Sequence, residues 1–238
     1  MVQSKVDSKH IGIVACSAEG AALCYRTICA EGKELLGEHM HPEISMHTYP
    51  LGRYMEAIRS GNWRDVADLM LSSAQKLKAC GADFAISPDN TIHQAYESVV
   101  KESPIPWFHI AEAVGVDAKE RKLSCLAITG TKYLMTGPVY PQSLARYGIS
   151  SQIPTEPQRE RIDDIIFSEL VYGITREESR LYFNEVIQSL KGKGCDGVVL
   201  GCTEIPLIVR PDDCPLPTLD STRLLARLAL RKATQKSS

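Results

Sequence analysis

A carboxylate and a thiol occupy equivalent positions in two similar segments of this sequence. Segments 81–92 and 194–205 share a glycine, an aspartate and a final isoleucine around an apolar run, and their ninth residues are Asp89 and Cys202. Two proton-transfer groups on opposite faces of a carbon can remove a proton from one face and return one to the other. The pair therefore predicts racemisation or epimerisation. Asp89 takes the α-proton and Cys202 donates in one direction, and the roles reverse in the other.

Asp89 also has a second interpretation, because aspartate is one of the best helix N-caps. Polar or charged residues that follow the predicted strands are candidate substrate contacts, since free helix N–H groups and hydroxyls bind carboxylates. These candidates are Ser17, Arg53, Asn90, Thr91, Thr131, Thr203 and Glu204. Several of them could cap helices and contact a substrate at once, because both roles use the same free N–H end. His93 could serve either the site or the core.

Short apolar runs alternate with longer stretches of helical periodicity, which is typical of an α/β protein built from βαβ units. The predicted strands are Ile11–Cys16, Ile44–Thr48, Phe84–Ser87, Leu123–Ile128, Gly197–Leu200 and Leu216–Leu219. The predicted helices are Asn62–Ala79, Gln158–Leu170 and Glu177–Leu190. Between the elements, Ser103–Pro106 is predicted to be a connector and Ser150–Pro157 a surface crossover.

The repeat also predicts the domain organisation. The offset that aligns Asp89 with Cys202 superposes residues 9–17 on residues 122–130, so we interpret it as an ancient duplication. One α/β lobe is predicted to comprise residues 1–114 plus 213–238, and the second residues 115–212. Each pseudo-symmetric lobe should hold a mainly parallel sheet flanked by helices. Ligands bind beyond the carboxyl ends of such strands, which predicts an active site in the cleft between the lobes.

The composition argues against a nucleic-acid or membrane partner. The 238 residues include 27 Lys and Arg against 29 Asp and Glu, which leaves no excess of positive charge. No apolar run approaches the roughly 18 residues that span a bilayer, and no signal peptide is visible at the start, so we expect a soluble cytoplasmic protein. The eight cysteines show no disulfide or zinc spacing, and most should be buried core residues. His39, His41 and His47 lack a matching carboxylate or cysteine, so we expect no metal site.

Two motifs resemble those of a known family. Leu200–Pro206, which reads Leu-Gly-Cys-Thr-Glu-Ile-Pro, is similar to the second cysteine motif of the aspartate/glutamate racemase superfamily. Asn90–His93 resembles the Asn-Thr-x-His sequence that follows that family's first cysteine. Further similar segments are Ile128–Thr131, Glu169–Gly173 and Asp220–Thr222. The resemblance covers most of the chain. It implies two pseudo-symmetric lobes, often in homodimers, and stereochemical inversion of a small carboxylate or amino acid without pyridoxal phosphate or another cofactor.

The sequence departs from the family pattern in two places. The residue before Asn90 is usually cysteine in the family, and here it is Asp89. A carboxylate arrives ionised at neutral pH, but its pKa must be raised by burial or by a nearby thiolate if it is to return a proton. The first loop, Ala15–Gly20, replaces a turn of the Gly-Gly-Met type, which puts substrate contacts there in question.

The charges of the predicted helix Gln158–Leu170 bear on the substrate. Family members that act on acidic substrates hold the distal carboxylate with cations, and Arg53 could supply one. Arg159 and Arg161 lie on the helix, but so do Asp163 and Asp164. This segment is therefore expected to receive a second carboxylate poorly.

The sequence thus predicts a cofactor-independent racemase or epimerase. Two alternatives stay open. Family relatives with a single cysteine decarboxylate small carboxylic acids or isomerise their double bonds, and a third possibility is a small-acid binding protein without turnover.

Overall fold

The computed structural model describes residues 8–235, which divide into two compact units. The first unit extends up to Pro88 and also includes Ala95–His109 and the chain from Leu225 onward. The second comprises Asp89–Gln94 and Ile110–Leu224. Among the residues described, no helix is both long and apolar enough to cross a membrane.

The first unit contains a four-stranded parallel sheet in the order β2-β1-β3-β4. Its strands are β1 (Ile11–Ala15), β2 (Ile44–Thr48), β3 (Phe84–Ile86) and β4 (Trp107–Phe108). Its helices are α1 (Ala18–Leu36), α2 (Leu51–Arg59), α3 (Trp63–Ala79) and α4 (Tyr96–Glu102), and a 3₁₀ helix at Thr91–Ala95 precedes α4.

The second unit repeats this arrangement with a parallel sheet in the order β6-β5-β7-β8. Its strands are β5 (Cys125–Thr129), β6 (Ser150–Gln152), β7 (Gly197–Leu200) and β8 (Thr218–Asp220). Its helices are α5 (Ile110–Glu120), α6 (Lys132–Met135), α7 (Val139–Ala145), α8 (Glu156–Ser168) and α9 (Glu177–Gly192), with 3₁₀ helices at Leu170–Tyr172 and Ile205–Leu207. The last helix, α10 (Ser221–Thr234), begins in the second unit and belongs to the first from Leu225 onward. In both units, the chain forms the second strand of the sheet first and the edge strand next, as expected from a duplicated element.

The predicted α/β class with two parallel sheets is confirmed, and the six predicted strands all exist with ends shifted by at most two residues. Two strands were not predicted, β4 and β6. The prediction that Ser150–Pro157 is a surface crossover was wrong. Ser150–Gln152 pairs with β5, and α8 begins at Glu156, where Thr155 and Gln158 form a capping box.

The residues shared by the two repeats have the same structural role in each unit. Gly81 and Gly194 follow α3 and α9 with φ of 94° and 95°, a left-handed conformation that favours glycine. Asp83 accepts a hydrogen bond from the backbone N–H of His10 at 2.7 Å, and Asp196 accepts one from Ser124 at 2.8 Å. Each aspartate thus ties the start of one strand to the start of its neighbour.

The division into units differs from the predicted lobes at three segments, which are 89–94, 110–114 and 213–224. The strand pairing accounts for the last of these. Thr218–Asp220 forms β8 against β7, so this part of the chain completes the second sheet. Segment 89–94 follows β3, which belongs to the first unit, but the segment itself groups with the second unit.

Candidate active site

Cys202 lies in the turn that follows β7, where its thiol meets a carboxylate. Cys202 Sγ donates to Glu204 Oε2 at 2.9 Å, and Thr203 Oγ1 donates to the same oxygen at 2.7 Å. Glu204 is 5% exposed, whereas Cys202 is half-buried. The turn therefore fixes the direction of the thiol. The structure thus gives Glu204 a contact with the cysteine and Thr203 a contact with Glu204. Substrate contact by these two residues stays a prediction.

The surroundings of Cys202 favour its protonated form. Burial raises the pKa of the Cys202 thiol well above its usual range, and the negative charge of Glu204 and its hydrogen bond raise it further. Asp89 adds a smaller repulsion in the same direction. The direction of this pKa shift favours the thiol form of Cys202 at neutral pH, and Asp89 lies near enough to contribute to it.

Gly201 allows the chain to pass closely over the neighbouring strand. Its N–H donates to Thr129 O at 2.9 Å, and a Cβ placed on it would lie 2.5 Å from that oxygen. Glycine is therefore required here by packing within the second unit. The element that follows Thr203 and Glu204 is a 3₁₀ helix of three residues, Ile205–Leu207, so it offers no long helix N-terminus for a carboxylate.

Asp89 belongs to the same unit as Cys202, although the strand before it belongs to the other. It follows Pro88 and precedes the 3₁₀ helix Thr91–Ala95, and α4 begins at Tyr96 with Ala95 as its N-cap. Because 89–94 groups with the second unit, both members of the predicted acid–base pair lie in one compact unit, each in a turn after a strand.

A buried network of hydrogen bonds surrounds Asn90, the neighbour of Asp89. Tyr140 Oη donates to Asn90 Oδ1 at 2.6 Å, and Asn90 Nδ2 donates to Ser221 Oγ at 3.0 Å. Ser221 Oγ donates in turn to the Leu200 carbonyl at 2.9 Å. Tyr140 and Ser221 are fully buried and Asn90 is 2% exposed. We call these four residues the Asn90 network. The predicted residue Asn90 therefore has a structural role, which links segment 89–94 to the end of β7.

Thr91 and Thr131, two more predicted contacts, lie side by side. Their Oγ1 atoms are 3.1 Å apart, and Thr131 Oγ1 also accepts from the backbone N–H of Leu134 as the N-cap of α6. Gln94 Nε2 donates to Tyr133 O at 2.9 Å. These bonds attach the segment after Asp89 to the loop after β5.

Ser17 and Arg53 lie in the first unit. Ser17 is the N-cap of α1, and its Oγ accepts from the Gly20 N–H at 3.3 Å. The Arg53 guanidinium lies 4.7 Å from the centre of the Tyr49 ring and lines a cavity of about 490 Å³ beside α2 and α3. Substrate contact by these two residues stays a prediction.

The cations of α8 are engaged locally. Arg159 donates to Pro154 O at 2.7 Å, and Arg161 pairs with Asp164 at 2.6 Å. Asp163 accepts from the backbone N–H of Lys132 at 2.8 Å, directly after the predicted contact Thr131. The α8 side chain next to this loop is therefore an acid.

The other cysteines differ from Cys202 in their surroundings. Cys24 is fully buried in α1, and burial raises its pKa to about 12. Cys125 and Cys195 contact each other with Sγ atoms 3.7 Å apart at the opposite end of β5 from Thr129. Cys16 is buried after β1. Among the described residues, no group of three or more His, Cys, Asp or Glu side chains is placed to bind a metal ion.

Tyr140 and Ser221 are the site residues that sequence reasoning missed. Ser221 lies within the Asp220–Thr222 motif, which could have suggested it. Tyr140 gave no signal, because a tyrosine in a short amphipathic helix reads as a core residue.

The fold and the site define a class of protein, an α/β chain with a duplicated four-stranded parallel sheet and a coupled carboxylate and thiol after its central strands. Residues 11–229 match the sequence profile of the Asp/Glu/Hydantoin racemase family, and the chain belongs to that family.

Several relatives agree with this assignment. A Yersinia pestis protein described as an Asp/Glu racemase, for which a crystal structure is known, is 30% identical, with 95% of this chain and 100% of that chain covered and a TM-score of 0.88. An aspartate racemase homologue from Pyrococcus horikoshii has a similar fold at 24% identity, with 95% and 100% coverage and a TM-score of 0.83. The broad specificity amino-acid racemase RacX of Bacillus subtilis is 20% identical over 190 residues, which are 79% of this chain and 80% of that one. The family and these relatives support a racemase or isomerase role.

Proposed function

We propose that the protein is an amino-acid racemase or epimerase that uses Asp89 and Cys202 as its two proton-transfer groups. The observation that carries the proposal is the placement of Asp89 and Cys202 after equivalent segments and in one compact unit, with the Cys202 thiol donating to Glu204. A racemase of this kind needs one base and one acid at the start of each turnover, and this pair supplies them with different functional groups.

In the proposed reaction, the Asp89 carboxylate removes the α-proton and the Cys202 thiol delivers its proton to the opposite face. The turnover leaves a carboxylic acid at Asp89 and a thiolate at Cys202. Reaction in the other direction starts from that state, with the thiolate as base and the acid as donor. No cofactor takes part in these steps.

The substrate carboxylate is proposed to bind beside Asn90. An amide group carries two N–H donors, and among the described contacts Ser221 accepts one of them. The second N–H of Asn90, together with the hydroxyls of Thr91 and Thr131, would hold the carboxylate next to Asp89.

The preferred substrate is proposed to lack a second carboxylate. Asp163 lies against the backbone of Lys132, Arg161 is paired with Asp164, and Arg159 donates to the Pro154 carbonyl, so each cation of α8 already has a local partner. Neutral or basic amino acids should therefore be turned over faster than aspartate or glutamate.

Incubation of single enantiomers in deuterium oxide tests the function. A two-base racemase places deuterium at the α-carbon of the inverted product at early conversion, while the remaining substrate stays unlabelled. Because the equilibrium constant of racemisation is 1, kcat/KM must agree in the two directions even where kcat differs. Release of carbon dioxide would instead identify a decarboxylase, and binding without label or inversion would identify a binding protein.

A further inference from the structure

The hydrogen-bond directions in the Asn90 network follow from a single group. The Leu200 carbonyl can only accept, so the Ser221 hydroxyl must donate its one proton there. Ser221 Oγ then accepts from Asn90 Nδ2, which turns Asn90 Oδ1 toward Tyr140. The protons of the Tyr140 and Ser221 hydroxyls and one of the two Asn90 Nδ2 protons are therefore assigned, and turning the Asn90 amide over would break buried hydrogen bonds.

The network joins the two main-chain segments that carry the acid–base pair. Asn90 is the residue after Asp89, and Leu200 is two residues before Cys202. Tyr140 and Ser221 have no exposed surface, and burial raises the pKa of Tyr140 far above its ordinary value, so the phenol stays a neutral donor. A buried donor that loses its partner costs free energy, so the arrangement resists displacement.

We propose that Tyr140 is a positioning residue that fixes the separation of Asp89 from Cys202 through the Asn90 network. Its hydroxyl holds the Asn90 amide from one side, and Ser221 holds it from the other. Loss of either bond frees the 89–94 segment to move relative to β7. The consequence for turnover rests on the proposed function, whereas the consequence for the Cys202 thiol does not.

The alkylation rate of Cys202 measures the coupling without any substrate. Below the pKa of a thiol, its rate of reaction with iodoacetamide is proportional to the thiolate fraction. Mass spectrometry of the peptide that contains Cys202 gives this rate separately from those of the other cysteines. Asp89→Asn removes a negative charge near the thiol, and the rate should rise about 10-fold in the wild-type background.

The proposal predicts that Asp89→Asn has less effect once Tyr140 is changed to phenylalanine. In Tyr140→Phe, the same substitution should raise the rate about 3-fold or less, because the distance between the two groups is no longer fixed. Ser143→Ala is the matched control. It removes a buried hydroxyl from the same helix, α7, one with no hydrogen-bond partner among the described residues, and the full increase should persist.

An equal increase in the wild-type and Tyr140→Phe backgrounds would overturn the proposal. If circular dichroism shows that Tyr140→Phe does not fold, Ser221→Ala breaks the network at its other end and gives the same comparison. With a substrate in hand, Tyr140→Phe should lower kcat about 10-fold to 100-fold with a smaller change in KM. Absence of turnover in the wild-type protein would refute the proposed function, and the alkylation rates would still decide the role of Tyr140.

Discussion

Segments 81–92 and 194–205 have corresponding structures in the two units, and their comparison separates residues that hold the fold from residues proposed to carry chemistry. The shared glycines have the same positive φ, and the shared isoleucines, Ile92 and Ile205, are both fully buried. The ninth residues differ, as Asp89 and Cys202. Two identical thiols would leave open which one is ionised, whereas a carboxylate and a thiol settle it by their ordinary pKa values.

The largest expected effect on racemisation comes from removing the Cys202 thiol. Cys202→Ala should lower racemisation in both directions by about 1,000-fold, since the proton donor is lost. Chiral chromatography of both enantiomers measures it. Cys214→Ala, at another half-buried cysteine of the same unit, should leave the rate within about 3-fold, and comparable rates in the two variants would remove Cys202 from the mechanism.

Changing the carboxylate should have the next largest effect. Asp89→Asn keeps the shape and a capping oxygen but removes the base, so racemisation should fall about 100-fold. Asp212→Asn, at an exposed position of the same unit, is the control. Full activity in Asp89→Asn would remove Asp89 from the mechanism. Asp89→Cys should retain some activity with an optimum at higher pH, because one of two thiols must then ionise.

Cys24, a fully buried thiol, tests how far burial alone raises the pKa of a cysteine in this protein. Its folded-state pKa is raised from 9.0 to about 12, so at higher pH the unfolded chain loses the proton that the folded chain retains. The free energy of unfolding should therefore fall as pH rises from 9 toward 12, by roughly 1.4 kcal/mol per pH unit for this one group. Urea unfolding of Cys24→Ala should show a flatter decline, while Cys80→Ala, at an exposed cysteine, should not. Equal slopes for all three proteins would contradict the cause assigned to this shift.

The smallest expected effects concern the shared glycines. Gly81→Ala and Gly194→Ala should each lower the free energy of unfolding by about 1 kcal/mol, because alanine is strained at positive φ. Space is not limiting, since a Cβ at Gly194 meets no atom within 4 Å and one at Gly81 meets His10 at 3.5 Å. Thermal melts and activity assays should give similar losses of stability and unchanged kcat. A loss of kcat in either variant would mean that a shared position also serves catalysis.

Apolar runs made much of the fold predictable from the sequence, and the exceptions have physical reasons. β4 has two residues, and β6 is the polar sequence Ser-Ser-Gln at a sheet edge, so neither has a hydrophobic signature. Their pairing depends on backbone groups, which every sequence has. The candidate pair Asp89 and Cys202 could be identified from the sequence because the repeat marks equivalent positions.

Other features of the site depend on contacts between residues distant in the sequence. Tyr140 meets Asn90 across 50 residues, and Ser221 meets it across 131. No local pattern encodes such contacts. Glu204 was predicted as a site residue, but its contact with the Cys202 thiol was not. The direction of a side chain in a turn depends on its dihedral angles, which a sequence pattern does not specify.

The crossing of the chain between the two units bears on how the protein folds during synthesis. The first unit is completed by the end of α10, where Lys9 N donates to Ala233 O at 2.9 Å and Arg227 pairs with Glu31 at 2.9 Å. Ala233 and Arg227 follow the second unit in the sequence. Because domains fold as their residues emerge, these contacts of the first unit form only after α10 has been synthesised, and the second unit can form before them.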